Sequence, residues 1–242
     1  MQIVPWQLAP LWLWASVLAG ASQAPRLDIN LPARRLDLIV AGRIVRTYRV
    51  AIGDSAYPSP TGRFLVRRII WSPSWVPPAD APWSRDLRPE PPGPDNPMGP
   101  VKLPLGKGYF IHGSPRSIGM SRPPTHGCVR LRSRDAVALA HFLESDTGSI
   151  ENTDALGNDT TRTVPLAIPI QVLIRYDLVE VRLGRVIANP DPYHRRTPAT
   201  DSADARLLRV AGYPADSALG VVSGLLDSAR GRVGAVSAPL RR

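Results

Sequence analysis

Cysteine is almost absent from this chain: Cys128 stands alone among 242 residues. A disulfide within the chain is thereby excluded, and the thiol is a reactive group, an inert buried one, or half of a bridge to another molecule. Histidine is scarce too, with four residues, and no spacing of metal ligands occurs, so neither a metal nor another cofactor is expected. Acidic residues are the minority charge, 20 against 30 basic ones, and arginine dominates the resulting net charge of +10. Such an excess speaks to solubility and to polyanionic partners, not to fold. Nucleic acid is set aside as that partner, because no aromatic-basic platform or base-reading motif accompanies the charge. Internal repeats are missing as well. Proline, in contrast, is abundant at 27 residues and concentrates between positions 71 and 100, so that stretch cannot supply central strands.

A long apolar run occurs only at the start. Residues 1–24 combine an apolar stretch around Leu11-Trp12-Leu13-Trp14 with small residues at Ala19-Gly20-Ala21 and Ser22-Gln23-Ala24. This is the pattern of an export signal, cleaved after Ala21 or Ala24. The run is short of the roughly 20 residues a membrane span needs, which leaves an uncleaved anchor as the alternative. Export to a periplasm or cell envelope sharpens the cysteine argument, since a lone thiol there cannot pair internally.

Residues 25–195 read as one domain. Residues 27–31 and 35–40 are predicted strands, the second with Leu36, Leu38 and Val40 on one face. Ala41-Gly42 turns the chain into 43–52, where Ile44, Tyr48, Val50 and Ile52 alternate with Arg43, Thr47 and Arg49 as in a half-buried antiparallel partner. Ser59-Pro60-Thr61-Gly62 punctuates before another strand over 63–70. Residues 71–100 form an extended loop: either a linker or, because Trp71, Trp75 and Trp83 are costly to leave in water, a packed cover. Ser133 is placed to cap a helix over 134–144 with Val137, Ala140 and Leu143 on its buried stripe, and His141 on that helix is structural. Residues 145–163 read as a surface insertion, 166–176 as a strand, and 178–182 with 185–188 as a hairpin about Leu183-Gly184. From 196 to 242 the composition shifts to Ala, Ser, Gly and Arg, which predicts a basic, flexible tail; a docked or surface-bound helix over 219–226 is the alternative. Strands in hairpins outnumber helices, so the expected class is mainly β: an antiparallel sandwich or barrel-like domain with one main helix and long loops.

Residues 109–132 hold Cys128 and two of the four histidines, and they read as an active site. A histidine within hydrogen-bond reach both lowers a thiol's pKa and takes its proton. His112 ends the apolar run Tyr109-Phe110-Ile111, so a buried strand would support its ring rigidly, as a base requires. His126 lies two residues before Cys128 and diverges from its line of attack, so it shapes the site or binds substrate. Gly127 has no side chain, which lets a carbonyl approach the N–H groups of Gly127 and Cys128 as an oxyanion hole. No Asp or Glu stands in the motif to orient the imidazole.

This constellation resembles the L,D-transpeptidases of bacterial peptidoglycan, which carry the YkuD-type catalytic domain. The residues concerned are His112-Gly113 and then Thr125-His126-Gly127-Cys128-Val129-Arg130. The resemblance continues in Ile52-Gly53, in Ser59-Pro60-Thr61-Gly62, in Trp71-Ser72-Pro73-Ser74-Trp75-Val76-Pro77-Pro78 and in Gly93-Pro94-Asp95-Asn96-Pro97-Met98-Gly99. Thr163-Val164-Pro165-Leu166 and Pro190-Asp191-Pro192-Tyr193-His194-Arg195 extend it, so residues 27–195 are covered. It implies the YkuD-type β fold and a Cys128 thioester with a tetrapeptide stem, formed with release of the terminal D-Ala. Transfer to an amine acceptor would then make wall cross-links or anchor protein. It also implies that the Gly113 carbonyl holds the His112 ring, that Thr125 and Arg130 bind substrate, and that residues 71–100 border the cleft. Stem peptides would be the partners, with an anionic wall or membrane surface for the basic tail. A hydrolase of the same fold, trimming stems or releasing linked protein, is the alternative; a non-catalytic basic wall-binding module is the more remote one.

Overall fold

The computed structural model describes residues 24–115, 125–148, 161–214, 217–230, 232 and 234–240. All but the last residue of the expected export signal, residues 116–124 and most of the expected surface insertion lie outside the described residues. β1 (Arg26–Asn30), β2 (Arg35–Val40) and β3 (Arg43–Arg49) form an antiparallel meander. Ala41 and Gly42, with φ of 49° and 77°, make the left-handed turn whose twist suits a hairpin. Ile44, expected on the buried side, is 50% exposed. It sits at the hairpin tip beyond a register shift at Leu38/Ile39, out of reach of the core.

β4 (Gly62–Trp71), β5 (Val101–Gly106), β6 (Tyr109–His112), β7 (Val129–Arg130), α1 (Ser133–Thr147) and β8 (Arg162–Arg175) follow. The sheet order is β3-β2-β1-β8-β4-β5-β6-β7, and only β1–β8 and β6–β7 are parallel. The two sheet ends meet. Just past β3, the Ala51 N–H donates to the Arg130 carbonyl at 2.8 Å, and the Arg130 N–H donates back at 2.9 Å. Gly53 bridges Thr125 alongside. The sheet is therefore curled almost closed, which is the barrel-like, mainly β architecture. Its interior holds one core, with Ile29, Leu38, Ile69, Leu103 and Ile111 packed on Leu139 and Leu143 of α1.

α1 buries Ala136, Leu139, Ala140 and Leu143, a 3.6-residue stripe. Ser133 does not cap it: the helix begins at Ser133, and its Oγ accepts the Ser114 N–H at 3.1 Å and donates to the Ser114 carbonyl. β8 runs through Pro165 and Pro169, longer than expected; a register shift opposite Val66/Arg68 absorbs residues that cannot donate to the ladder.

The segment expected as a flexible tail is folded. α2 (Pro198–Val210), α3 (Ala218–Ala229) and β11 (Val236–Pro239) pack on the hairpin β9 (Val179–Arg182) and β10 (Arg185–Ala188). Leu178, Val186, Leu208, Val222 and Leu226 make a second core there. Composition misled because the apolar residues are small and Ala-rich, yet at helical spacing they still form two narrow buried stripes. The hairpin at 178–188 thus belongs to this C-terminal module, not to the domain expected over 25–195 alone.

Candidate active site

Because β6 and β7 run parallel, Ile111 lies opposite Val129 and His112 opposite Arg130. Ile111 and Val129 are fully buried, so alternation turns Phe110, His112, Cys128 and Arg130 to the other face. Cys128 is then a diagonal neighbour of His112, about 7–8 Å away at Cα, a separation that the two side chains can span. β5 completes this face, with Lys102 paired to His112. The Lys102 Nζ donates to the Ser74 carbonyl at 3.0 Å and stands 5.0 Å from the centre of the Phe110 ring.

Burial sets the protonation of the pair. His112 is 3% exposed, and burial, then the charge of Arg130 and that of Lys102, push its imidazole down to about 4. The Gly113 and Met98 carbonyls oppose this from beside the ring. Neither closes a well-formed hydrogen bond to Nδ1, which has no partner among the described residues. Burial likewise pushes the Cys128 thiol up to about 11, against a hydrogen bond with the Phe110 backbone and the Lys102 charge. Part of the Cys128 surface stays open, so this is enclosure by neighbours and not isolation from solvent. The resting pair is a neutral thiol beside a neutral imidazole. The expectation that histidine lowers the thiol's pKa is therefore corrected; the ring is free to accept a proton.

The loop before Cys128 is fixed from inside. The Thr125 N–H donates to the Ile52 carbonyl at 3.0 Å, and the buried Thr125 hydroxyl donates to the Cys128 carbonyl. That hydroxyl is engaged within the loop, so its geometry favours shaping the turn over a substrate contact. Gly127 has φ of 100°, and a Cβ there would fall 2.5 Å from the Tyr109 ring, so only glycine fits without strain. Gly53 packs directly against it. Among the described residues the Gly127 and Cys128 N–H groups donate to no other group. His126 points outward and stacks on Trp83, ring centres 3.8 Å apart at 8°, with Tyr57 edge-on at 5.0 Å. Residues 71–100 are thus a packed cover beside the site, pinned at their neck by paired 2.9 Å hydrogen bonds between Trp75 and Glu90. His141 packs on Trp71 at 4.6 Å, on α1 and away from Cys128.

Two further supports converge on the motif. Gly99 packs so tightly on Gly113-Ser114 that a Cβ would lie 2.6 Å from the Ser114 nitrogen. Its turn is tied by Asn96, which accepts the Met98 N–H at 2.9 Å. From the other side, the Tyr193 hydroxyl donates to the Gly53 carbonyl and accepts the Ser59 N–H, both at 3.1 Å. Arg130 is 7% exposed and sits inside the protein beside His112. Sequence reasoning missed Lys102, Tyr57 and the bonds of Tyr193, because strand register and loop packing, not spacing, bring them here.

The YkuD family model, an L,D-transpeptidase catalytic domain, matches residues 24–168, which include His112, Cys128 and every strand from β1 to β7. The chain belongs to this family. The protein named YkuD from Bacillus licheniformis is 26% identical over 123 residues, covering 50% of this chain and 62% of its own length. The protein named ErfK/SrfK from Salmonella typhimurium is 32% identical over 117 residues, covering 44% of this chain and 37% of its own. This chain thus spans less than two thirds of either relative. Both are named as L,D-transpeptidases. Among solved structures, an L,D-transpeptidase from Mycobacterium smegmatis aligns with a TM-score of 0.42 and 15% identity, covering 62% of this chain and 58% of that one. The match to the YkuD domain ends within β8, so α2, α3 and the smaller sheet lie beyond it.

Proposed function

We propose that this chain is an exported peptidoglycan L,D-transpeptidase with Cys128 as nucleophile and His112 as base. The observation that carries the reading is the register that sets Cys128, the residue just before β7, diagonally from His112 on β6, beside two backbone N–H groups that donate to nothing else among the described residues. A neutral imidazole accepts the thiol proton as Sγ attacks the carbonyl between the third and fourth residues of a stem tetrapeptide. The Gly127 and Cys128 N–H groups hold the resulting oxyanion. His112 returns the proton to the departing D-Ala amine, leaving a thioester. An acceptor amine then attacks the thioester carbonyl, gives its proton to His112 and expels the thiolate, which recovers that proton. Burial, and then the charge of Arg130 paired across from it, keep the His112 ring neutral before attack, and the Arg130 guanidinium would meet substrate carboxylates by paired hydrogen bonds. The N-terminal apolar stretch followed by small residues supports a location in the periplasm or cell envelope.

The test uses a soluble tetrapeptide stem with a diamino-acid acceptor, followed by mass spectrometry. A cross-linked product should form with the wild type and be lost by several orders of magnitude in Cys128→Ala. If tripeptide is released without cross-link, the chain is the hydrolase. If Cys128→Ala turns over normally, the nucleophile assignment fails.

A further inference from the structure

The outer face of β1, β8, β4 and β5 carries a groove of about 830 Å³ that neither Cys128 nor His112 lines. Arg26, Arg63, Arg67 and Arg68 surround it, over a floor that includes Leu65 and Leu173. Strand geometry gathers them. Arg63 and Leu65 alternate outward on β4, and in register Leu173 lies beside Arg63 while Gln171 links Leu65 to Arg26 on β1. Val66 and Ile69 are both fully buried, with two residues between them where regular alternation allows one. The register shift at that place turns both Arg67 and Arg68 outward.

Among the described residues none of these four arginines makes a salt bridge or side-chain hydrogen bond, while Arg35, Arg175, Arg182 and Arg196 all bond carboxylates. The carboxylate in the lining, Asp28, is held by the Arg175 Nε at 2.7 Å. Four uncompensated guanidiniums on one face repel each other, and their fork geometry is matched by phosphate. Four guanidiniums without an ion pair among the described residues thus line a single groove, whereas Arg196 in the C-terminal segment is paired with Asp201 and Asp227.

The groove's walls narrow the ligand. Phe64 is the one ring in the lining, and it packs against the core, so bases find no stacking platform. β1, β8 and β4 are paired on both edges, so a peptide cannot add as a strand. A recessed floor suits a chain lying in it and not a flat bilayer. Leu65, 44% exposed, and Leu173 offer apolar contact to saturated carbon between charges. We propose that this groove binds a linear anionic polymer of phosphodiester-linked polyol or sugar units, whose phosphates pair with the four arginines.

The site is independent of the catalytic reading, because its test reads binding. Fluorescently labelled synthetic oligo(glycerol phosphate) would be titrated into the full chain and two double variants. Arg63→Ala/Arg67→Ala removes charge from the groove; Arg43→Ala/Arg49→Ala removes the same charge from exposed positions on β3. The groove variant should bind roughly tenfold or more weakly, with the slope of log affinity against log salt reduced by about one to two. The β3 variant should bind as the wild type does. Leu65→Glu, which puts a negative charge on the floor at an exposed position, should weaken binding to a similar degree. Unchanged melting temperatures in all three would show that folding is intact. Equal weakening by both double variants would reduce the effect to net charge and overturn the site. So would tighter binding of single-stranded DNA with the same number of phosphates, or of phosphatidylglycerol vesicles, than of the polymer.

Discussion

A thiol pushed up to about 11 beside an imidazole pushed down to about 4 exchanges its proton only when a substrate carbonyl is there to receive the sulfur. Between those values the thiol is protonated and the ring neutral, so acylation of Cys128 by a carbapenem-type β-lactam should depend on His112 across the whole range. The sign follows from the lowered imidazole value: the ring accepts a proton above about 4, so acylation is lost only as pH falls through that point. Alkylation by iodoacetamide uses the thiolate instead, and it should climb about tenfold per pH unit towards about 11. His112→Ala should abolish acylation and leave alkylation in place. Labelling that already plateaus near neutral pH would show a preformed thiolate and overturn this account. Cys128, His112 and Gly127 were legible in the sequence because the chemistry of each is local: a lone thiol, a ring at a strand end, a missing side chain. Lys102 was not, since its place beside His112 depends on β5 pairing with β6. The protonation of the pair was not legible either, since it is set by burial.

Elements are joined across the two cores by charge. Arg35 on β2 grips Glu180 on β9 through two hydrogen bonds of 2.6 Å, and Arg182 reaches back to Asp37 at 3.1 Å. Asp37 points outward from the first core, yet it is 3% exposed because β9 lies over it. Burial alone would raise Glu180, but the hydrogen bonds and charge of Arg35, with Arg175, bring it down to about 2. Its stabilisation is therefore present above the ordinary value of 4.5 and is lost as pH falls towards about 2. Glu180→Gln should cost about 3 kcal/mol in urea unfolding at neutral pH, since it leaves buried positive charge behind. The variant should also lose less stability than the wild type on going from neutral pH to pH ~3. An unchanged urea midpoint at neutral pH would show that the clamp contributes nothing. Alternation made β1, β2 and β4 readable, but β5 was hidden: Pro104 and Gly106 interrupt it, and it follows a proline-rich stretch. β8 was cut short in the reading for the same reason, because a proline inside a paired strand is tolerated only where a register shift frees its position.

At the scale of the molecule, the described residues form two cores sharing a seam, and the seam runs behind the candidate active site. Tyr193 lies on it, stacked with Tyr176 at 5.4 Å and overlaid by Arg195, its hydroxyl fixing Gly53 and Ser59 behind Gly127. A flexible tail could be removed without consequence; a folded module cannot. Deleting residues 197–242 would strip α2, α3 and β11 from β9 and β10, baring Val179, Val186 and Ala188. The first core would remain, because none of its residues comes from the deleted segment. The shortened chain should therefore self-associate on size exclusion while the fraction that stays monomeric still takes up one carbapenem-type β-lactam at Cys128. Tyr193→Phe in the full chain separates support from coverage. It bares no core, so it should stay monomeric, yet it frees the Gly53 carbonyl and the Ser59 N–H and should slow acylation roughly tenfold, about the worth of one hydrogen bond. A shortened chain that is monomeric and keeps full stability would mean that α2 and α3 do not cover the hairpin. A Tyr193→Phe variant that acylates at the wild-type rate would mean that the seam carries no positional information to the loop of Gly127 and Cys128.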